Sequence, residues 1–435
     1  MGYFDSNLIG PVNVSDAFFG IMTIAYFVRI KKGKVKCDRK FLLFFRYCVF
    51  LIVYFIISYG YIIPVLNGND TFRLFLLKER NTLYGIFILW FVYYFANHGL
   101  IVHYKILVYT AAVVLSMYLL GLVFGGYIVP ITSFSRYVGE DVMRIGMLSY
   151  GLFQAVLPLS LVVLMINPHL RKIPVRKLLY FASLLLVIVY LLTLTRRTYI
   201  NLIATIVFAV FVINKVIHIR KGIRRLIIAL GFVFVVLTFL FPDYRKYSGD
   251  LYRDVYLLLS TGEDTRGRSD YRLSRTGDME IVKDYIREKP WFGQGFTWMN
   301  WDEKVERANK GDRFARAWDA AQEVPVYYMV FSKGIIGLLV YTPVYIIIIY
   351  SLVSMYRKIR KYNLSLFQNH QIVLLFSLFL IVSYILEFTV KAYSLYGDVG
   401  SPRFMVNAGL MFSILAYLNK EYEIEKDPDT STSYR

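Results

Sequence analysis

The chain has 435 residues, of which 57% are hydrophobic and 18% charged, with a formal net charge of +20. A soluble domain carries about 25% charged residues, so this composition excludes an ordinary soluble protein and indicates an all-α, polytopic helical membrane protein. Nucleic acid is not the partner that the charge indicates: twenty of the fifty basic residues fall in four short segments, Arg29–Lys40, Arg171–Lys177, Lys215–Arg225 and Arg357–Lys361, whose one acid is Asp38. Lys and Arg gathered in alternate short loops mark the cytoplasmic side of a multi-span protein.

The N-terminus is acidic and polar at Asp5 and Asp16 and lacks the basic start of a cleavable signal. Eleven spans are predicted, at 13–29, 41–66, 81–97, 100–129, 149–167, 175–195, 198–217, 223–241, 324–355, 371–390 and 403–419. Apolar runs of this kind cross a hydrocarbon core of roughly 30 Å. With this count all four basic segments fall on one side, the N-terminus lies outside and the C-terminus inside. The outside segments are then 67–80, 131–148, the turn Thr195–Thr198, 242–322 and 391–402. Four regions follow: a membrane region 1–241, a large loop 242–322, a second membrane region 323–419 and a cytoplasmic tail 420–435. The tail is polar, rich in Ser and Thr, and expected to be disordered. Cys37 and Cys48 lie in a basic loop and a span, and suggest neither a disulfide framework nor a Cys metal site.

The loop 242–322 carries aromatics throughout and a near balance of acids and bases, which argues for a folded cap rather than a linker. Thr276 is a candidate N-cap for a helix over 277–289, with Met279, Val282 and Ile286 on one face. Pro290 would stop that helix, and Gly293 and Gly295 would permit a sharp turn. A second, highly charged helix is predicted over Asp302–Arg316. Within 324–355, the apolar core is best placed from Ile335 to Met355, with Glu323 above it and Lys333 near the outer interface.

Several charges need a reason to be where they are. Arg196 and Arg197 sit in a tight outer turn, where basic residues are disfavoured. Two readings stand: interfacial anchors that snorkel, or a planar, bidentate fork for phosphate oxygens. Arg136 and Arg144 flank Gly139-Glu140-Asp141. They either join the same anion site or pair with those acids along a helix. Arg266, Arg268, Arg272 and Arg275 form a dense run that acids of the same stretch could neutralise; Arg275 is the one singled out. Glu323 is either a base near a substrate hydroxyl or an acid favoured at a helix start. Glu387, Lys391, Asp398 and Arg403 cluster at the last outer loop, as an inter-span ion pair or as the lining of an outer cavity. All five histidines fall at or near the inner face, so an outer His base is not offered.

No Gly-rich Lys-Ser/Thr phosphate loop occurs, and Gly293-Gln-Gly295 lacks the third glycine of a dinucleotide fingerprint. No metal motif stands on the outer face. Neither a nucleotide nor a metal cofactor is therefore implied. A bond made outside would draw its energy from the substrate itself, and a lipid pyrophosphate is the natural activated donor.

The order of motifs resembles the bacterial O-antigen polymerase and O-antigen ligase superfamily. Thr193-Leu-Thr-Arg196-Arg197 precedes the large loop. The loop then carries Arg275 and Pro290-Trp-Phe-Gly293-Gln-Gly295, and it ends before Lys333-Gly334-Ile-Ile-Gly337. The match is strongest over about 190–340. It implies a glycosyltransferase of the inner membrane acting on undecaprenyl-pyrophosphate-linked oligosaccharides at its periplasmic face, with a chain-length regulator and a flippase of the same pathway as partners. Arg196, Arg197 and Arg275 would stabilise the leaving pyrophosphate. Trp291, with Trp298, would stack on sugars or pack the cap. Ligases of this family usually place a His-Asn pair at the loop's end. This chain reads Asp319-Ala-Ala-Gln322-Glu323 there, which favours a polymerase and leaves Glu323 and Asp319 as candidate bases. A flippase of the same lipid-linked units is a reading of another class, opposed by the lack of an internal repeat.

Overall fold

The computed structural model describes residues 7–9, 12–13, 38–66, 72–124, 132–136, 143–147, 150–192, 196–217, 220–240, 269–295, 306–307, 310–323, 325–361, 370–389 and 402–426. The expected span 13–29 beyond Asn13, together with Arg266, Arg268, Trp298, Lys391 and Asp398, lies outside them.

The architecture is that of an all-α polytopic membrane protein. Its helices are α1 (Arg39–Ile57), α2 (Phe72–Phe124), α3 (Tyr150–Ile166), α4 (Arg176–Leu192), α5 (Arg196–Val216), α6 (Arg220–Leu240), α7 (Ser269–Glu288), α8 (Arg313–Glu323), α9 (Pro325–Lys361), α10 (Gln371–Thr389) and α11 (Pro402–Lys426). Among the described residues three helices are long and apolar enough to cross a membrane: Arg39–Ile57, Tyr327–Lys361 and Gln371–Phe388. A fourth candidate is the pair Gly85–Asn97 and Gly99–Val113, bent by 118° at Gly99, where separate spans 81–97 and 100–129 are expected from sequence.

Four local expectations are corrected. Within 131–148 an antiparallel ribbon pairs β3 (Thr132–Arg136) with β4 (Met143–Met147), which removes the helical ion-pair alternative for Arg136 and Arg144. A second, shorter ribbon pairs β1 (Asn7–Ile9) with β2 (Val12–Asn13). Helix α7 begins at Ser269, so Thr276 lies inside it and does not cap it. The expected helix over 302–316 is not continuous: among the described residues 306–307 are helical, the chain turns at Gly311, and α8 then runs over Arg313–Glu323. The start of α8 is fixed by Asp312, whose Oδ1 accepts the amides of Phe314 and Ala315 at 2.9 and 3.1 Å, a side-chain N-cap. Finally, α11 runs through Lys426, so the tail expected to be disordered from Lys420 begins as helix.

Helix α10 sits at the centre of the bundle: 78% of its apolar window is buried, against 33% for α1. It reads as apolar on every side because protein surrounds it. Helix α1 instead shows Leu43, Phe50 and Val53 outward and packs its other face through aromatics. Phe41 stacks on Tyr93 of α2 with centroids 3.6 Å apart, and Phe44 meets Phe412 of α11 at 4.9 Å.

The described parts of the basic segments are tied to the helices around them. The Asp38 amide donates to Tyr93, the Tyr104 hydroxyl donates to the Pro174 carbonyl, and the Lys172 amide donates to Gln371. Lys358 donates to Asn419. Gly222 lies so close to the Met165 carbonyl that a Cβ there would approach it to 2.2 Å.

Candidate functional site

Helix α9 is broken. Gly334 has φ +66 and ψ −173, a left-handed backbone inside an otherwise helical run. Such a break orphans carbonyls on one side and amides on the other, and at membrane depth these groups must find partners in the protein. The segment after α7 supplies them. The amides of Gln294 and Gly295 donate to the carbonyls of Phe331 and Ser332, at 2.7 and 2.9 Å. The amides of Ile335 and Ile336 donate to the carbonyls of Pro290 and Trp291, at 2.9 and 3.1 Å. One short loop therefore caps both ends of the break.

The glycines make that approach possible. A Cβ on Gly334 would lie 2.2 Å from the Trp291 carbonyl oxygen, and one on Gly293 would lie 2.6 Å from the Ser332 carbonyl carbon. Pro290 ends α7, and Gly293 and Gly295 turn the chain with φ +69 and +80. The Gly293 amide is itself bonded to the Lys289 carbonyl. The amides of Gly293, Gln294 and Gly295 are thus committed within the latch rather than presented to a phosphate.

Lys333 adjoins the break. It is only 7% exposed, enclosed by protein rather than standing free at the surface. Its ammonium donates to the Tyr341 hydroxyl at 3.0 Å and stands 4.2 Å from the Phe55 ring centroid. Its carbonyl accepts the Tyr59 hydroxyl at 2.5 Å. The cation is held by ring faces and a phenol, and the break is tied to the turn that follows α1. A lysine inside an apolar run was the available signal.

Above the break, α7, α8 and the first arm of α9 form a small lobe with its own core of Val282, Ala317, Trp318, Ala321 and Phe331. Met279 and Ile286 join it, so the expected apolar face of α7 is the buried one. Trp318 is 3% exposed and packs this core, whereas Trp291 is 59% exposed on the latch. Packing the cap is therefore the role of Trp318 and not of Trp291. Arg313 bridges to Asp284 at 2.7 Å, joining α8 to α7 on the surface. Burial raises the Asp312 carboxyl, but the Ala315 amide, the Arg307 guanidinium and the Phe314 amide outweigh it and hold the group below the usual carboxylate value.

The other expected site residues are placed by their backbone. Arg275 lies within α7, and Asp319 and Glu323 are one turn apart at the end of α8. These three and the latch share the lobe. Arg196 and Arg197 are the first two residues of α5, a bundle helix that packs on α3, α4 and α10. Arg136 pairs in register with Met143, and Arg144 with Ser135, on the β3–β4 ribbon. Arg403 is the second residue of α11.

Residues 181–342 match the family described as O-antigen ligase, Wzy_C. Neither a curated protein nor a solved structure matches the chain. The matched region holds the start of α5, the lobe and both sides of the latch, and leaves out Arg136, Arg144 and Arg403. It supports a function of O-antigen ligase or polymerase type in glycan assembly, with glycosyltransferase-like activity on lipid-linked oligosaccharides. The match over this region supports a relation to the O-antigen polymerase and ligase superfamily and does not distinguish its polymerase branch from its ligase branch.

Proposed function

We propose that the protein is a metal-independent glycosyltransferase that polymerises undecaprenyl-pyrophosphate-linked oligosaccharide repeats into a surface polysaccharide. It would act at the periplasmic face of the bacterial inner membrane. The observation that carries the reading is the latch: a folded lobe is fixed by backbone bonds to a break in a membrane-length helix, inside the family region. Interrupted membrane helices recur where lipid-depth binding sites are built. The lobe brings Arg275, Asp319 and Glu323 onto elements that pack together.

In this reading the terminal sugar hydroxyl of one lipid-linked repeat attacks the anomeric carbon of a growing glycan. The new C–O bond forms as the bond to pyrophosphate breaks, and the electron pair leaves with undecaprenyl pyrophosphate. Arg196, Arg197 and Arg275 stabilise that developing charge. Glu323 or Asp319 accepts the hydroxyl proton. Trp291, exposed on the latch, offers a ring face to a sugar. Arg136, Arg144, Arg266, Arg268 and Arg403 would serve the anionic substrate around the reacting centre, while Gly293 and Gly295 shape the loop that carries Trp291. A flippase and a chain-length regulator would be the pathway partners.

The ligase reading is supported equally by the matched family's own description. In it the acceptor is lipid A core instead of a second repeat. The Asp319-Ala-Ala-Gln322-Glu323 stretch, in place of a His-Asn pair, favours the polymerase. The test uses purified protein with the strain's own lipid-linked repeat and no nucleotide sugar. A size ladder in multiples of the repeat is expected. Transfer only when lipid A core is added would make the protein a ligase. Vesicle uptake without any change in glycan length would make it a transporter.

Orientation has its own test. Lys310 is exposed on the lobe. With Cys37 replaced, Lys310→Cys should react with a membrane-impermeant thiol reagent in spheroplasts. Labelling only after lysis would put the lobe on the cytoplasmic side.

A further inference from the structure

The outer surface of α9 carries a groove of about 610 Å³ far from the latch. Ile346, Ile349, Tyr350 and Val353 line it, and all four are exposed. Their spacing places them along one helical stripe. Arg357 closes one end of the groove. Lys40 approaches from α1, its ammonium 5.6 Å from the Tyr350 ring centroid. Arg360 and Lys361 follow in the last turn of α9. Lys358 is occupied by Asn419, but among the described residues no hydrogen bond or ion pair engages Arg357.

The dimensions identify the kind of molecule that fits. From Ile346 to Arg357 the helix rises about 16 Å at 1.5 Å per residue, close to one leaflet of a hydrocarbon core of roughly 30 Å. The cationic end lies 23 residues beyond Gly334, about 35 Å along the axis, and so on the membrane face opposite the latch. A carboxylate-bearing protein surface would match the cations but not the apolar stripe above them, which runs about 10 Å from Ile346 to Val353. An amphiphile with an anionic head and an extended chain matches both.

We propose that this groove is a binding site for an anionic glycerophospholipid. One acyl chain lies along Ile346, Ile349 and Val353, and the phosphate sits between Arg357 and Lys40. Tyr350 lies beside the chain, with its ring facing the Lys40 ammonium. The site is separate from the proposed glycan chemistry and does not depend on it. It anchors the second arm of α9, whose other end forms the latch.

The experiment uses the purified full chain in detergent with equal amounts of dioleoyl-phosphatidylglycerol and dioleoyl-phosphatidylcholine, read by native mass spectrometry. One phosphatidylglycerol should be retained in preference to phosphatidylcholine. Each cation near an anionic headgroup contributes roughly a fivefold factor, so Lys40→Gln with Arg357→Gln should weaken retention about thirtyfold. The charge-keeping pair Lys40→Arg with Arg357→Lys should retain it, which separates lost charge from lost fold. Equal retention of the two lipids would overturn the site. Unchanged binding in the Gln pair, or a second copy of the chain on this face in place of lipid, would do the same.

Discussion

Two glycines in the lobe share a backbone conformation and differ in everything around them. Gly334 and Gly311 have φ of +66 and +86. At Gly311 an added Cβ meets nothing within 4 Å. At Gly334 it meets the Trp291 carbonyl group and the Phe292 amide nitrogen, all within 2.5 Å. One glycine allows an exposed turn; the other allows two chain segments to bond backbone to backbone across a helix break. The lobe is thus bonded backbone to backbone on its α9 side and open around Gly311.

The largest effect is expected where the two backbones meet. Gly334→Ala should lower stability by about 3 kcal/mol or more, since left-handed strain adds to an overlap that neither backbone can relieve. A thermal melt of the purified protein reads this, and a wild-type melting temperature would remove the latch as a structural element. Gly311→Ala should cost only about 1–2 kcal/mol, the backbone preference without the overlap. A loss equal to that of Gly334→Ala would erase the contrast. Asp312→Ala should cost about 1 kcal/mol through loss of the α8 cap. The sign of its pH dependence follows from the depressed carboxyl. The contribution is complete above the ordinary value of 3.8 and is lost as pH falls through the lower folded value. Wild type and variant should therefore converge in acid, and a gap that widens there would contradict the capping role. Trp291→Ala should leave the melt unchanged, because the side chain is largely exposed, yet should reduce glycan transfer. Unaltered transfer would release Trp291 from the substrate site.

The apolar face of α7 was legible in sequence because Met279, Val282 and Ile286 recur at helical spacing, and Pro290 announced where the helix ends. The start of the apolar core at Ile335 was legible in the long ninth stretch, but the break at Gly334 beside it was not, because a glycine between apolar residues also fits a continuous helix. Other features were not. Gly293 and Gly295 read as a turn, but that the turn pairs with Phe331–Ile336 could not be read, because the partners are some forty residues apart and the bonds run between backbones that carry no sequence label. The capping role of Asp312 was hidden by a charged stretch that looked helical from Asp302. The β3–β4 ribbon was obscured because Arg136, Glu140, Asp141 and Arg144 also fit helical ion-pair spacing.

Sequence by itself determined the membrane class, the positions of the apolar helices, the clustering of basic segments and the family motifs, since each depends on composition or on short-range order along the chain. Tertiary structure alone decided which groups meet: that Lys333 is enclosed by Phe55 and Tyr341, that Trp318 is core while Trp291 is surface, and that one loop satisfies both ends of a broken helix. These are outcomes of burial and of backbone hydrogen bonds that must be completed inside the protein when water is excluded. That requirement operates between distant segments, and no local pattern of residues encodes it.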